Sequence, residues 1–273
     1  MTWRKIAKRV WSASLKDDVP GYAAQLAYYC LLAIFPFLLF LATLLGLLAH
    51  TGTDIYQNLV SYAGRMLPDA AFQLVVATLK QVENGAGGAK LSFGILFTLW
   101  AASSGMEALI DALNRAYGVK ATRPWWKTRL LSLFLTILLS GFLIVATILV
   151  LYGSRIAELI ANIFGLKTYF TALWNLIQWP TVLLFVLIAF GLLYRYAPDR
   201  PRGPWRSVLP GTVVGVLLWL TVSLLFRLYL EFFNSYNRTY GSLGAVIVLL
   251  LWFNLSSAAI LVGAEVNAAI DLD

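Results

Sequence analysis

Polar side chains suited to proton or ion chemistry lie one helical turn apart in a stretch that is otherwise apolar, WAASSGMEALIDALNRAYG, residues 100–118. Residues three and four apart share one face of a helix, so this stretch predicts a polar stripe. Carboxylates inside a membrane helix are costly and often mark ion or substrate pathways. The charged and amide members of the stripe are Glu107, Asp111, Asn114 and Arg115.

Two alternatives exist for this stripe. Asp111 and Arg115 can pair at i, i+4, so they can form a structural ion pair at the membrane interface. Glu107 has serines and Asp111 at the same spacings rather than a base. We predict that Glu107 acts through its charge or its proton, with structural hydrogen bonding as the alternative.

Other apolar stretches carry polar residues at a similar predicted depth. Asn254 and Glu265 share a helical face in the last stretch, and Gln25 and Tyr29 lie in the first. We predict a polar pocket that opens to the cytoplasm between the first, second and last membrane helices. Its members are Gln25, Tyr29, Glu107, Asp111, Asn114, Arg115, Asn254 and Glu265.

A second polar group is predicted at the opposite end of the membrane helices. Arg227 and Glu231 stand four residues apart and precede the segment NSYNRTYGS. This pattern indicates an outward-facing polar site, with a structural ion pair as the alternative. The predicted members are Arg227, Glu231, Asn234, Asn237 and Tyr240.

The elements that position these residues are membrane helices. The chain has 273 residues, of which 60% are hydrophobic and 12% charged, and a spanning helix needs about 20 mostly apolar residues. We predict an all-α integral membrane protein, a bundle of six transmembrane helices forming one domain over residues 1–273. Short amphipathic helices are predicted at the N-terminus (1–20) and in the outer loops (53–83 and 155–164). The predicted spans are approximately 21–49, 91–114, 130–152, 176–196, 207–230 and 242–267.

Cysteine and histidine content excludes several kinds of site. Cys30 is the single cysteine, so no internal disulfide can form, and His50 is the single histidine. No cluster of soft or imidazole ligands exists to bind a transition metal. We expect no metal and no cofactor.

Basic residues alternate between the predicted loops and give an orientation. Loops rich in Lys and Arg stay in the cytoplasm, which predicts that both termini are cytoplasmic. The net charge of +8 is spread over several loops, which favours contact with anionic lipid over binding of nucleic acid. The predicted lipid contacts are Arg123, Lys127, Arg129, Arg200, Arg202 and Arg206. The oligomeric state stays open.

Four segments carry a resemblance to a known family. They are AAQLAYYCLLAIFPFLLF (23–40), GMEALIDALNRAYGVKATRPWWK (105–127), YRYAPDR (194–200) and NRTYGSLGAVIVLLLW followed by GAEVNA (237–268). With them the chain resembles the YihY / virulence-factor BrkB family of bacterial inner-membrane proteins, once mislabelled as a ribonuclease. The resemblance implies six spans, cytoplasmic termini and a role in the cell envelope.

The expected function is transport. A polar interior, kinked spans and basic inner loops favour a transporter or flippase-like protein for a lipid or amphiphile in envelope biogenesis. The alternatives are an exporter of a small solute or ion, and an envelope scaffold that transports nothing. An enzyme is not expected, because RNA hydrolysis needs an acid and a base, or carboxylates that bind metal, and the predicted cytoplasmic loops are mostly basic.

Overall fold

The computed structural model describes residues 3–33, 87–164, 167–201, 203–232 and 242–271, and all regular structure in these ranges is helical. The first helix is α1, Trp3–Lys16. A second helix, α2, covers residues 19–33. The others are α3 (Gly87–Ala116), α4 (Trp125–Phe164), α5 (Lys167–Tyr196), α6 (Trp205–Phe232) and α7 (Ser242–Asp271).

Four of the described helices are long and apolar enough to cross a membrane. The spanning segments are Trp125–Ala146, Leu176–Tyr196, Trp205–Glu231 and Val246–Asp271. Large apolar side chains point outward along them; Leu143 is 69% exposed and Leu176 is 73% exposed. Such surfaces are stable in lipid and not in water, so the chain is a helical membrane protein.

The remaining two predicted spans are described only in part. The predicted span 91–114 is helical as part of α3, Gly87–Ala116, and it is not among the four segments found in the described residues. The predicted span 21–49 begins as α2, and residues 34–49 lie outside the description. Six spans therefore stays a prediction.

One predicted outer helix is wrong as a separate element. Residues 155–164 continue α4 without a break, so this helix has 40 residues. Gly153 does not end the helix, because a single glycine costs a helix only about 1 kcal/mol and no proline follows it in α4. The predicted outer helix within 53–83 lies outside the described residues.

The N-terminal helix is present as predicted and contacts the rest of the protein. Val10 of α1 packs against Val266 and Ala269 of α7. On other parts of the helix surface, Trp11 is 71% exposed and Leu15 is 60% exposed. One apolar face is thus used for packing, and a second apolar pair is free for the membrane interface.

The chain divides into two compact units, and the divisions fall between α1 and α2 and within α3, α6 and α7. The first comprises Met1–Asp17, Ile110–Leu218 and Ala259–Asp273, and the second comprises Asp18–Leu109 and Trp219–Ala258. In the second unit, α2 and α3 are in contact at Gly105, where an added Cβ would lie 3.5 Å from the Cβ of Tyr29, an ordinary contact distance.

Candidate functional site

In the first unit, α6 and α7 cross at glycines. Gly211 and Gly215 of α6 face Gly263 of α7, and a Cβ on Gly263 would lie 2.7 Å from the Gly211 carbonyl oxygen. The fully buried Tyr194 lies beside this crossing, and its hydroxyl donates to the Ile260 carbonyl at 2.7 Å. The spacing of Gly211 and Gly215 is the small-xxx-small pattern that lets membrane helices approach.

Asn267 connects three elements at the same crossing. Its side chain is completely buried. Its Oδ1 accepts the Gly211 N–H at 2.6 Å, and its Nδ2 donates to the Tyr117 hydroxyl oxygen at 3.1 Å. Gly211 follows Pro210, which lies inside α6 and has no N–H of its own. The buried amide thus satisfies a backbone donor next to a proline, where helical hydrogen bonding is disturbed.

Tyr117 joins this group to a charged pair. The Arg200 guanidinium lies over the Tyr117 ring, 4.0 Å from its centre, and also pairs with the Asp271 carboxylate. Burial raises the pKa of Tyr117 to about 12, although the hydrogen bond from Asn267 and the Arg200 charge act in the opposite direction. The phenol therefore stays protonated at neutral pH.

The segment between α3 and α4 is held to the segment after α5 by Asp199. Its Oδ2 accepts from the Thr122 N–H at 2.6 Å, the Thr122 hydroxyl at 2.9 Å and the Arg123 N–H at 2.9 Å. Its Oδ1 lies 2.9 Å from Nε of Arg123. The rest of the Arg123 guanidinium donates to the carbonyls of Ala197 and Pro198, at 2.9 and 2.7 Å.

The charged form of Asp199 is favoured in this clasp, which we define as Asp199, Thr122 and Arg123. Partial desolvation acts to raise the pKa of Asp199, but the hydrogen bonds from Thr122 and the Arg123 contacts outweigh it and lower the pKa. The Asp199 N–H in turn donates to Oδ1 of Asn114 at 2.7 Å. Asn114, which was predicted to belong to the pocket, is buried, and its hydrogen bond holds the Asp199 backbone of the clasp in place.

In the described part of the chain, Glu265 is a buried acid that lacks a hydrogen-bond partner on one oxygen. It lies in α7, and its residue surface is 2% exposed. Within the described residues, its Oε1 atom is buried and has no hydrogen-bond partner. An ionised carboxylate in such a place is costly unless a ligand or a proton compensates it.

The predicted pocket residues fall in both units. Asn114 and Glu265 are buried in the first unit, where Asp111 and Arg115 are exposed. In the second unit, Gln25 is exposed, and three predicted members are half-buried: Tyr29, Glu107 and Asn254. That these residues form one pocket stays a prediction.

Part of the polar stripe on α3 is exposed, which differs from the expectation. The buried face combines Asn114 of that stripe, at 6% exposure, with a row of small residues, Ala108 at 7%, Ala112 at 3% and Ala116 at 6%. Asp111 and Arg115, expected to face the bundle, lie on the surface instead. The physical reason is that small side chains let neighbouring backbones approach, whereas charged side chains near a helix end reach water at low cost.

The predicted outer site is described only in part. Nε of Arg227 lies 3.3 Å from Oε1 of Glu231, which confirms the pairing, and the two side chains are 77% and 58% exposed. The other predicted members lie outside the described residues: Asn234, Asn237 and Tyr240.

The predicted lipid contacts separate into two groups. Arg123 and Arg200 form ion pairs within the protein, and Arg129 is only 7% exposed. Lys127 and Arg206 are exposed, and Nζ of Lys127 lies 5.3 Å from the centre of the Trp126 ring. Arg202 lies outside the described residues.

Sequence reasoning missed most of the residues at the α6–α7 crossing. The spacing of Gly211 and Gly215 was a usable signal, as was the amide of Asn267 in an apolar helix. The partner residues Gly263, Tyr194 and Tyr117 carry no such local signal, because their role depends on which helices meet.

Apolar helices with exposed leucines, glycine-mediated crossings and a few buried polar groups define a polytopic helical membrane protein. The model of the family described as "Virulence factor BrkB" matches residues 10–273. The chain therefore belongs to the virulence factor BrkB family, as its motifs indicated.

Relatives cover nearly the whole chain. The ribonuclease-like protein YfkH of Bacillus subtilis (strain 168) is 40% identical over 261 residues, which is 96% of this chain and 93% of that protein. A UPF0761 membrane protein of Pseudoalteromonas atlantica is 26% identical over 94% of this chain and 83% of its own. The UPF0761 membrane protein IL2447 of Idiomarina loihiensis is 25% identical over 80% of this chain and 71% of its own. No solved structure matches the chain.

Proposed function

We propose that this protein is a transporter, flippase-like in its action, that moves a lipid or another amphiphile across the bacterial inner membrane in envelope biogenesis. The observation that carries the proposal is Glu265, a buried carboxylate in an apolar helix whose neighbour Asn267 is also completely buried. Buried ionisable groups in membrane helices are retained mainly where a polar molecule, ion or proton passes. An amphiphile needs such a polar route inside and an apolar surface outside.

Several other buried polar side chains have a structural role and do not support transport. The Ser132, Thr136 and Thr212 hydroxyls donate to carbonyls of their own helices, so they are satisfied locally. Gln178 donates to the Leu149 carbonyl of the preceding helix at 2.9 Å and thereby ties α4 to α5. These residues stabilise the bundle, and the proposed transport role rests on the acids.

A small-solute or ion exporter is the second candidate, because the same Glu265 suits a cation or a proton as well as a headgroup. The outcome of a transport assay separates the two. Purified protein in liposomes should speed the movement of a fluorescent phospholipid between leaflets, measured by loss of fluorescence to an impermeant quencher. No acceleration with any amphiphile tested, together with ion flux, would favour the exporter.

The carboxylates give this assay its matched variants. Glu265→Gln and Glu107→Gln keep the shape and much of the hydrogen bonding of each side chain but remove its charge. We expect both to lose transport while unfolding at nearly the wild-type temperature. The exposed Ser12→Ala change is the control and should leave transport intact. Normal transport by both glutamine variants would refute a role for these acids.

The ribonuclease-like name of one relative suggests a nuclease, and we propose that this chain is not an enzyme. Its single histidine, His50, leaves no imidazole pair for acid–base cleavage of RNA. Incubation of purified protein with labelled RNA, with and without Mg²⁺, should yield no cleavage beyond that of a mock purification.

We also propose that both termini lie in the cytoplasm, because basic loops favour that side. In a Cys30-free background, a single cysteine replacing Ala121 or Gly203 should react with an impermeant thiol reagent only after lysis. Cysteines replacing Ala86 or Arg238 should react in intact cells. The opposite labelling would reverse the orientation.

Anionic lipids are the proposed partners, through the exposed cations Lys127 and Arg206. Neutralising both should weaken lipid binding by about 1 kcal/mol per charge near the surface. The paired Arg123 is excluded from this test because its loss would break the clasp. Lipid retained on the purified variants can be measured by mass spectrometry, and unchanged retention of anionic lipid would contradict the proposal.

A further inference from the structure

The helices α1 and α7 pack on each other, and in the described part of the chain each carries a buried oxygen atom without a hydrogen-bond partner. Glu265 is 2% exposed, and its Oε1 has no hydrogen-bond partner in the part of the chain that the structure describes. The Oγ atom of Ser14 is likewise buried and, within the same ranges, without a partner. Buried oxygens are usually hydrogen-bonded, so two such oxygens on elements in contact are available to a ligand.

The packing of α1 on α7 places these atoms on the same contact. Val10 packs against Val266 and Ala269, Ser14 follows Val10 by one turn, and Glu265 precedes Ala269 by one turn. The Asp17 carboxylate, just beyond α1, is the charged group that acts on Glu265. It adds a second negative charge to the contact.

Among the residues that the structure describes, neither Glu265 nor Asp17 forms an ion pair. Arg200, which shares Tyr117 as a neighbour with Glu265, is paired with Asp271. Lys16, at the end of α1, is exposed to solvent. The C-terminus of α1 itself carries partial negative charge on its last carbonyls, which attracts a cation.

The donor set selects the kind of cation. Carboxylate and hydroxyl oxygens are hard ligands and suit hard cations rather than transition metals. Divalent hard cations are usually held by more acidic side chains, and the described ranges contain no group of three or more His, Cys, Asp or Glu that could hold a metal ion. We propose that Glu265, Asp17 and Ser14 bind a sodium ion between α1 and α7. Binding does not depend on the transport function proposed above, although transport would give the ion a coupling role.

The test is the thermal stability of the full-length protein in detergent or nanodiscs. A ligand that binds only the folded state raises the unfolding temperature with its concentration. We expect a saturable rise in NaCl relative to choline chloride and KCl at equal ionic strength. Asp17→Asn and Glu265→Gln should weaken the apparent sodium affinity by about tenfold or more, the scale seen for losses at metal sites. Ser14→Ala should weaken it less, and its exposed neighbour Ser12→Ala should not.

Three results would overturn the proposal. One is an absence of any sodium-specific stabilisation of the wild type. Another is stabilisation that persists in both acid variants, which places the ion elsewhere. The third is an unfolding midpoint that changes with pH but not with sodium concentration, and that no longer changes with pH in Glu265→Gln. This result would mean that the site holds a proton. If Glu265→Gln does not fold, the sodium dependence of Asp17→Asn, at a half-buried residue, gives the same comparison. A sodium response without lipid movement would refute the transport proposal alone.

Discussion

Replacement of Gly263 by alanine tests the close crossing of α6 and α7. The added Cβ would lie 2.7 Å from the Gly211 carbonyl oxygen and 3.0 Å from Cα of Gly215, and it would overlap the Tyr194 hydroxyl. Non-bonded carbon atoms rest about 3.5–4.0 Å apart, so the two helices must separate by roughly 0.5–1 Å to admit the methyl group. The backbone atoms at this crossing cannot turn aside as a flexible side chain can.

The size of the effect follows from opposing terms. Overpacking a close contact costs about 1–3 kcal/mol. Displacement of Tyr194 weakens its hydrogen bond to the Ile260 carbonyl, which contributes about 1 kcal/mol. Alanine favours the helix by about 1 kcal/mol over glycine, which offsets this loss. We expect a net destabilisation of about 1–3 kcal/mol, or a fall in midpoint of about 2–12 °C on the scale of domains of this size.

The matched control is Gly141→Ala in α4, where an added Cβ would meet nothing within 4 Å. Thermal unfolding of both purified variants, followed by circular dichroism, gives the comparison. The control should unfold at or slightly above the wild-type temperature, because only the gain in helix propensity remains. A Gly263→Ala variant as stable as the control would refute the close crossing, since its methyl group would then have space.

Three further predictions concern neighbouring contacts. Asn267→Leu should lower the free energy of unfolding by about 1–3 kcal/mol, measured by thermal unfolding, because the buried Gly211 N–H loses its acceptor. The lowered pKa of Asp199 means that its stabilising contribution is complete above the ordinary carboxyl pKa of about 4 and is lost as the pH falls through the folded-state value. Unfolding temperatures measured from pH 7 to 3 should therefore fall more steeply in the wild type than in Asp199→Asn. Arg227→Gln should change stability by only about 0–1 kcal/mol in the same thermal assay, because its pair with Glu231 is exposed.

The membrane class and the helices could be predicted from the sequence because both depend on local composition. An uninterrupted apolar run such as 176–196 has one stable state in lipid, a helix that satisfies its own backbone. A helix is present there as part of α5, Lys167–Tyr196, and its segment Leu176–Tyr196 is long and apolar enough to cross a membrane. Boundaries were harder where no proline or charge cluster intervened. The length of α4 beyond residue 152 is the example, since a single glycine did not end the helix.

The site was less predictable because its residues lie far apart in the sequence. Asn267 and Tyr117 are 150 positions apart and share a hydrogen bond. Asp199 and Thr122 are 77 positions apart and hold two loops together. Polarity and spacing identified Asn114 and Glu265, but only the packing distinguishes a residue that fixes a loop from one whose oxygen has no partner. The distinction depends on which residues of other helices and loops lie next to each side chain.

Arg123 and Lys127 were both predicted to contact lipid, but they differ in the structure because their roles also depend on neighbours that are distant in the sequence. Arg123 has a carboxylate and two backbone carbonyls as acceptors, so its charge stabilises the loop pairing. Lys127, four residues later, is exposed beside the Trp126 ring and keeps its charge for the surroundings. Removing the first cation leaves Asp199 without its ion pair, whereas removing the second leaves no buried group unsatisfied. A cation's effect on lipid binding can therefore be separated from its effect on folding only after its acceptors within the protein have been identified.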